Sequence, residues 1–228
     1  MKKLIKKFPA FHKSLLNGRE KLRILYNTKT RSRFLWYLKD GDNTLSLDYP
    51  LTEDSIIFDV GAYKGVFTSK INKKYKSKIY AFEPLDNYYN FLVEKFKDDK
   101  NIRLFNFGLL DKDSNEFISN IDGASSIYNR KEGKLELKVK MKSMTDFLND
   151  NSISKIDLLY MNIEGSEYRL LSSLIKEGRI KDINHLQIQF HNFIDGSKKM
   201  RVDIRKQLKK THRCVFNFPF IWERWDIK

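Results

Sequence analysis

The sequence contains very little cysteine, proline or glycine, and it has no long apolar run. Cys214 is the single cysteine among 228 residues, which excludes an intramolecular disulfide framework and a zinc site built from several thiolates. Four prolines and ten glycines exclude collagen-like and low-complexity sequence. The longest apolar runs, such as residues 34–38, are strand-sized and fall far short of the roughly 18 residues that span a bilayer. The basic N-terminus lacks a following apolar segment, so we predict no secretory signal and expect a soluble cytoplasmic protein.

What the chain does contain is ample material for a hydrophobic core. Apolar residues make up 41% of the sequence and aromatic residues 14%, which excludes wholesale disorder. At roughly 150 residues per domain, the length predicts one domain with an appendage. We place a basic N-terminal arm and lead-in over residues 1–50 and the main domain over residues 51–228.

The positive charge is concentrated in the N-terminal arm. The formal net charge is +15, and residues 1–40 alone carry twelve basic and two acidic side chains. Apolar residues recur at helical spacing in the arm, at Leu4, Ile5, Phe8, Phe11, Leu15 and Leu16. This pattern favours an amphipathic helix that either lies on an anionic membrane surface or packs on the domain with its lysines in solvent. Because the excess charge is confined to one arm, nucleic acid is not the expected partner.

Beyond residue 54, the apolar patterns alternate between those of strands and those of helices. The predicted strands are 55–60, 78–82, 102–107, 156–163, 185–190 and a closing pair within 214–222, and the predicted helices are 66–75, 86–96, 168–175 and 197–211. A half-exposed strand over 135–141 is expected to pair with 116–119. Repeated strand–helix–strand order predicts an α/β fold with a parallel sheet covered on both faces. Ligands in such folds bind at the carboxyl ends of the strands.

Two signals follow the first two predicted strands. The first is the turn Asp59–Gly65. The dinucleotide fingerprint needs glycine two and five residues after Gly61, and those positions hold Tyr63 and Val66. The spacing of the turn, Asp-x-Gly-x-x-x-Gly, is instead that of the S-adenosylmethionine loop in Rossmann-like methyltransferases. The second is Glu83, 22 residues beyond Gly61, where a carboxylate accepts hydrogen bonds from ribose hydroxyls in nucleotide-binding folds. Each signal has a structural alternative: the Asp59–Gly65 segment can be an ordinary tight turn, and Glu83 can be an acid that caps the following helix.

Polar side chains also follow the predicted strands at 156–163 and 185–190. Asn162, Glu164 and Glu167 come after the first of these, and two acids with an amide at a central strand end are hard to explain by packing. Glu167 begins a predicted helix, where an acid also complements the helix dipole. His191 follows the second strand, with either a structural or a functional role.

Seven stretches follow one another from about residue 51 to the C-terminus: IIFDVGAYKGVFTSKI, YAFEPLDNYYNFL, FNFGLLDKD, DGASSIY, DLLYMNIEGSEYRLL, LQIQFHNF and THRCVFNFPFIWERW. In their order and spacing, the chain resembles the FkbM family of S-adenosylmethionine-dependent methyltransferases. The basic arm lies outside this resemblance. One departure is that many family members have Lys-x-Asp where this chain has Tyr160-Met161-Asn162. An amide there can orient a substrate hydroxyl but cannot take its proton.

The resemblance implies a Rossmann-like class I methyltransferase fold, with a mostly parallel seven-stranded sheet and helices on both faces. It implies S-adenosylmethionine as cofactor and O-methylation as the usual reaction. The candidate cofactor-binding residues are Asp59, Gly61, Tyr63, Gly65, Glu83, Leu85, Asn106, Ser125 and Ser126. Asn162, Glu164 and His191 are the candidate catalytic residues, the last two for acceptor orientation and proton removal. No metal ligands are assigned.

The leading functional hypothesis is an O-methyltransferase that acts on a hydroxyl of a sugar, glycan or glycolipid. A carbohydrate or glycolipid is then the expected partner, and the basic arm suits a peripheral position at the inner face of a membrane. One alternative is an RNA methyltransferase, which only the net charge favours. The other is a non-catalytic cofactor-binding or membrane-docking protein, which Asn162 favours weakly.

Overall fold

The structure is a computed structural model, and it describes residues 26–119 and 136–228. Within these ranges the α-helices are α1 (Thr28–Leu38), α2 (Val66–Tyr75), α3 (Asp86–Phe96), α4 (Met144–Asp150), α5 (Glu167–Lys176) and α6 (Ser197–Thr211). The strands are β1 (Ile56–Val60), β2 (Lys78–Phe82), β3 (Ile102–Phe105), β4 (Gly108–Leu110), β5 (Ser114–Ser119), β6 (Glu136–Ser143), β7 (Ile156–Met161), β8 (Ile183–Ile188), β9 (His212–Phe218) and β10 (Trp222–Ile227). Short 3₁₀ turns lie at Leu45–Leu47 and Arg179–Asp182.

Seven strands form one sheet, in the order β3-β2-β1-β7-β8-β10-β9. The neighbours from β3 to β8 run parallel, whereas β10 pairs with β8 in the antiparallel sense. The predicted α/β class with a mostly parallel seven-stranded sheet is therefore confirmed. Strand order reverses between β1 and β7, so their carboxyl ends flank the switch point at which such folds bind ligands.

The region between β3 and α4 forms a second, smaller sheet in the order β4-β6-β5. Strand β6 alternates exposed and buried side chains and pairs antiparallel with β5, including Glu116 opposite Val139. The predicted pairing of residues 116–119 with the alternating strand is therefore observed. One face of this sheet packs on an apolar cluster that includes Leu85 and Tyr88, which lie next to the end of β2.

Specific side-chain contacts lie at the starts of two helices. The apolar run at 34–38 lies in helix α1, which begins after Asn27, whose side chain accepts the Thr30 N–H at 2.9 Å. In helix α3, Asp86 is the first helical residue and Leu85 occupies the cap position. The Asp86 carboxylate accepts a hydrogen bond from Asn106 at 2.7 Å, a partner that is distant in the chain.

The described chain divides into two compact units. The smaller contains residues 26–48 together with Phe218–Ile221, and the larger contains Tyr49–Asn217 and Trp222–Lys228. Within the smaller unit, Trp36 is buried, packs edge-on against Phe218 at 5.3 Å and donates its indole N–H to Asp42. None of the helices in the described ranges combines the length and apolar character needed to cross a membrane.

The larger unit has its core on both faces of the central strands. Ile57, Phe58, Leu158 and Leu159 in β1 and β7 are fully buried, as near-continuous apolar runs in parallel sheets predict. A stack of three rings crosses this unit: the Tyr160 ring lies parallel to Phe67 at 3.6 Å and contacts Trp222 at 4.7 Å. The stack joins α2, β7 and β10.

Candidate active site

A pocket opens at the carboxyl ends of β1, β2 and β7 and is closed on one side by the small sheet. Its lining residues are Val60, Gly61, Tyr63, Glu83, Pro84, Leu85, Tyr88, Gly108, Leu109, Ile118, Met141, Asn162, Ile163, Glu164 and Ser166. The structure thus brings together Gly61, Tyr63, Glu83, Leu85, Asn162 and Glu164, which the sequence predicts as site residues. The apolar wall from the small sheet was not predicted, since its strands carry only a packing pattern in sequence.

Gly61 allows the ends of β1 and β7 to approach closely. Its φ is +87°, and a Cβ there would lie 2.4 Å from the carbonyl oxygen of Asn162. The N–H groups of Gly61 and Ala62 both donate to the carbonyl of Phe82 at 3.0 Å. The turn is therefore fixed by two neighbouring strands, and no larger residue fits without displacing backbone.

Gly65 and Asp59 lie behind the pocket and do not line it. A Cβ at Gly65 would lie 2.7 Å from side-chain atoms of Leu92 and Phe96, so this glycine lets α2 begin against α3. Asp59 is buried at the end of β1, and its carboxylate accepts a hydrogen bond from Thr68 of α2. The absence of a side chain at Gly65 and the Asp59–Thr68 hydrogen bond therefore both position α2 beneath the turn.

The buried Asp59 predicts a pH dependence of stability. Burial raises the pKa of Asp59 from 3.8 to about 7; the Thr68 hydrogen bond opposes this and the charge of Glu83 adds to it. Because the folded state binds this proton more tightly than the unfolded state, the contribution of Asp59 to stability is full below pH 4. It is lost as pH rises from about 4 to about 7.

Replacing Asp59 by asparagine removes this titration and keeps an acceptor for Thr68. We expect the free energy of unfolding of the variant, relative to the native protein, to increase by about 2 kcal/mol between pH 5 and pH 8. Urea unfolding at the two pH values measures this difference. Identical pH dependence in the two proteins would contradict the buried, protonated state of Asp59.

Glu83 is held in a fixed orientation at the end of β2. It is 5% exposed, and its two carboxylate oxygens accept the N–H groups of Tyr63 at 2.8 Å and Leu85 at 3.0 Å. Burial raises the pKa of Glu83, and the two backbone hydrogen bonds lower it. Each oxygen accepts one N–H and keeps a second lone pair, so the carboxylate can accept two further hydrogen bonds. That capacity matches a pair of vicinal hydroxyls.

Tyr63 and Leu85 flank this carboxylate. Tyr63 adopts a φ of +51°, which turns its N–H toward Glu83, and its ring meets the Tyr88 ring edge-on at 4.5 Å. Leu85 belongs to the apolar cluster of the small sheet. Asn106, predicted to lie near the cofactor, is not among the lining residues and donates to Asp86.

Asn162 presents an unused acceptor at the pocket wall. Its backbone N–H donates to the carbonyl of Val60 at 3.1 Å, which continues the β1–β7 pairing. Its side-chain oxygen is buried and finds no hydrogen-bond donor in the part of the chain that the structure describes. Buried polar atoms are nearly always paired, so this oxygen is a candidate acceptor for a donor on a ligand.

Glu164 reaches the pocket beside Asn162 and contacts His191. Its φ is +47°, an uncommon conformation for a residue with a side chain, and its Oε1 lies 3.3 Å from His191 Nε2. His191 is 6% exposed and lies behind Glu164, outside the pocket lining. The structure therefore brings these two predicted residues together, but only the carboxylate faces the pocket.

Glu167 completes this group. It is fully buried at the start of α5, and its Oε1 accepts the His191 backbone N–H at 2.7 Å and lies 3.2 Å from the ring Nδ1. Its Oε2 accepts the N–H of Gly165 at 2.8 Å. The sequence marks it as an acid after a central strand and at a helix start, and nothing local points to His191. The predicted cofactor contacts Ser125 and Ser126 lie outside the described residues.

Two solved structures described as methyltransferases share this fold. SMU.1697c of Streptococcus mutans, described as a methyltransferase and solved with SAH, has a TM-score of 0.51 and 15% identity over 84% of this chain and 97% of that chain. An rRNA methylase from Clostridium thermocellum has a TM-score of 0.50 and 10% identity, covering 83% of this chain and 94% of that one. At such low identity these similarities establish the fold alone. A comparison with curated proteins returned no significant match.

The sequence itself matches a family description. The methyltransferase FkbM domain matches residues 59–218, which contain every strand of the seven-stranded sheet except β10 and the first part of β1. The match contains Gly61, Glu83, Asn162 and Glu164, the polar and glycine positions that surround the pocket. The chain therefore belongs to the FkbM family of methyltransferases.

Proposed function

We propose that this protein transfers a methyl group from S-adenosylmethionine to a hydroxyl of a sugar, in a glycan or glycolipid. The observation that carries the proposal is the composition of one pocket. The pocket contains Glu83, a carboxylate with two open acceptor positions, the unpaired amide oxygen of Asn162, and a second carboxylate, Glu164, that suits a hydroxyl group.

The residues present fit this cofactor. Glu83 would accept the two ribose hydroxyls, and the apolar side chains of Leu85 and the small sheet would contact the adenine. The unpaired oxygen of Asn162 would accept a hydrogen bond from the ammonium of the methionine portion. The family assignment and the relative solved with SAH both support this choice. When bound, the cofactor supplies an electrophilic methyl group, and the protein contributes placement.

The protein's own contribution is to hold the acceptor oxygen in line and exclude water. Correct placement of two reactants contributes about 7–11 kcal/mol to lowering a barrier. Glu164 would orient the acceptor hydroxyl from the wall beside Asn162. The lysine-rich arm would bring the domain to an anionic membrane surface, which suits a lipid-linked acceptor.

Methyl transfer from tritium-labelled S-adenosylmethionine tests the proposal directly. Purified protein is offered polysaccharide, glycolipid in anionic vesicles, and total RNA in parallel reactions. We expect label in a carbohydrate fraction, stable to mild alkali because methyl ethers resist the hydrolysis that releases methyl esters. The Glu83→Ala variant is the control and should transfer no label. Label confined to RNA would instead favour the RNA methyltransferase alternative that the net charge of +15 suggests.

A further inference from the structure

Both ring nitrogens of His191 face carboxylate oxygens. Nε2 lies 3.3 Å from Glu164 Oε1, and Nδ1 lies 3.2 Å from Glu167 Oε1. A neutral imidazole carries one N–H and one lone pair, so it can donate to only one of these carboxylates. The second nitrogen would then set a lone pair against an anion. An imidazolium donates to both, and it is the form that this geometry accommodates.

Glu167 is held in place by its own set of contacts. It is fully buried, its carboxylate accepts the backbone N–H groups of Gly165 and His191, and Oε1 also faces the His191 ring nitrogen Nδ1. Glu167 thereby ties the loop after β7 to the segment after β8, and it fixes the ring from the side opposite the pocket.

The other titratable groups packed near His191 make their contacts away from its ring nitrogens and do not replace its two carboxylate partners, Glu164 and Glu167. The Tyr168 hydroxyl donates to the His191 carbonyl at 2.6 Å, and burial raises the pKa of this tyrosine, so it stays neutral. From α6, Arg201 lies over the Phe190 ring and is ion-paired with Glu223 of β10. Burial lowers the pKa of His191, but Glu164 and Glu167 outweigh it and raise that pKa to about 9.

We propose that Glu167 is a positioning residue that holds His191 as an imidazolium, and that this cation fixes the Glu164 carboxylate on the pocket wall. His191 then has no lone pair with which to take a proton, and Glu164 is the group that meets the acceptor hydroxyl. The last step rests on the proposed function. Glu164 has a φ of +47°, and the N–H of the adjoining Gly165 donates to Glu167, so the same carboxylate contacts both the ring and the loop that carries Glu164.

A pH titration of the full chain by ¹H–¹³C NMR, with ¹³C-labelled histidine, tests the proposal without acceptor or cofactor. The ring signal of His191, identified by its absence in His191→Asn, should titrate near pH 9 in the native protein. In Glu167→Gln the midpoint should fall by about one pH unit or more, because one of two anionic neighbours is lost. Glu94→Gln, a change at an exposed carboxylate paired with Lys97, should leave it unchanged.

A native midpoint below pH 7 would overturn the proposal, and so would an unchanged midpoint in folded Glu167→Gln. The titration of the native protein remains a test even if Glu167→Gln does not fold. Glu164→Gln, which is altered at the pocket wall, is a second variant in which the His191 midpoint should also fall. Because no methyl transfer is measured, this result and the labelling result are independent. A neutral His191 with labelled glycan would retain the proposed function and remove only the positioning role.

Discussion

Replacing Glu83 by alanine is expected to weaken S-adenosylmethionine binding about 100-fold. A hydrogen bond to a charged group contributes about 1.5–3 kcal/mol, and the loss of two such bonds to ribose hydroxyls amounts to about 3 kcal/mol. The same carboxylate also fixes the N–H groups of Tyr63 and Leu85, so the pocket loses its organisation together with its acceptor. Isothermal titration calorimetry of the two proteins measures the difference.

Two controls make the Glu83 result specific. Glu83→Gln keeps one carbonyl acceptor without the charge, and its affinity should lie between those of the native protein and Glu83→Ala. Glu94→Ala removes an exposed carboxylate on α3 and should bind normally. Native affinity in a Glu83→Ala protein with an unchanged circular dichroism spectrum would remove Glu83 from the ribose site.

Gly61→Ala is expected to lower the free energy of unfolding by at least about 3 kcal/mol. Two penalties add at this position: a left-handed φ of +87°, and a Cβ placed 2.4 Å from the backbone oxygen of Asn162. A left-handed backbone costs about 1 kcal/mol or more for a residue with a Cβ, and backbone displacement between two central strands adds to it. Thermal and urea unfolding measure the loss.

Gly178→Ala is the matched control for Gly61→Ala. Gly178 has a similar φ of +73°, but nothing lies within 4 Å of a Cβ built there. Its substitution therefore carries the backbone penalty alone, about 1 kcal/mol. Equal destabilisation in the two variants would show that the close approach of β1 and β7 is relaxed easily, contrary to the geometry described.

The sequence predicts the backbone well because apolar periodicity is a local signal. Helices α2 and α6 have the predicted bounds, and strands β1 and β2 agree to within one residue. A short apolar run such as residues 34–38 lacks the local context that distinguishes a strand from a helix, and it lies in helix α1. The separation of the small sheet from the large one depends on long-range packing and is not encoded in any single segment.

The residues of the site likewise divide into those that short motifs predict and those that depend on long-range packing. Gly61 and Glu83 are predictable because each belongs to a short motif at a strand end, and both line the pocket. Asp59 belongs to the same motif, yet its side chain turns toward Thr68, since direction depends on how α2 packs. The contact of Glu167 with His191 joins positions 24 residues apart, and no local pattern reports such a pair.

The ring contacts of Phe67, Tyr160 and Trp222 make the choice of side chain at position 160 depend on two other elements. The Tyr160 ring contacts one residue of α2 and one residue of β10. A lysine introduced at this position alone would leave both aromatic rings without this neighbour. A substitution of Tyr160 should therefore be better tolerated when Phe67 and Trp222 are changed with it.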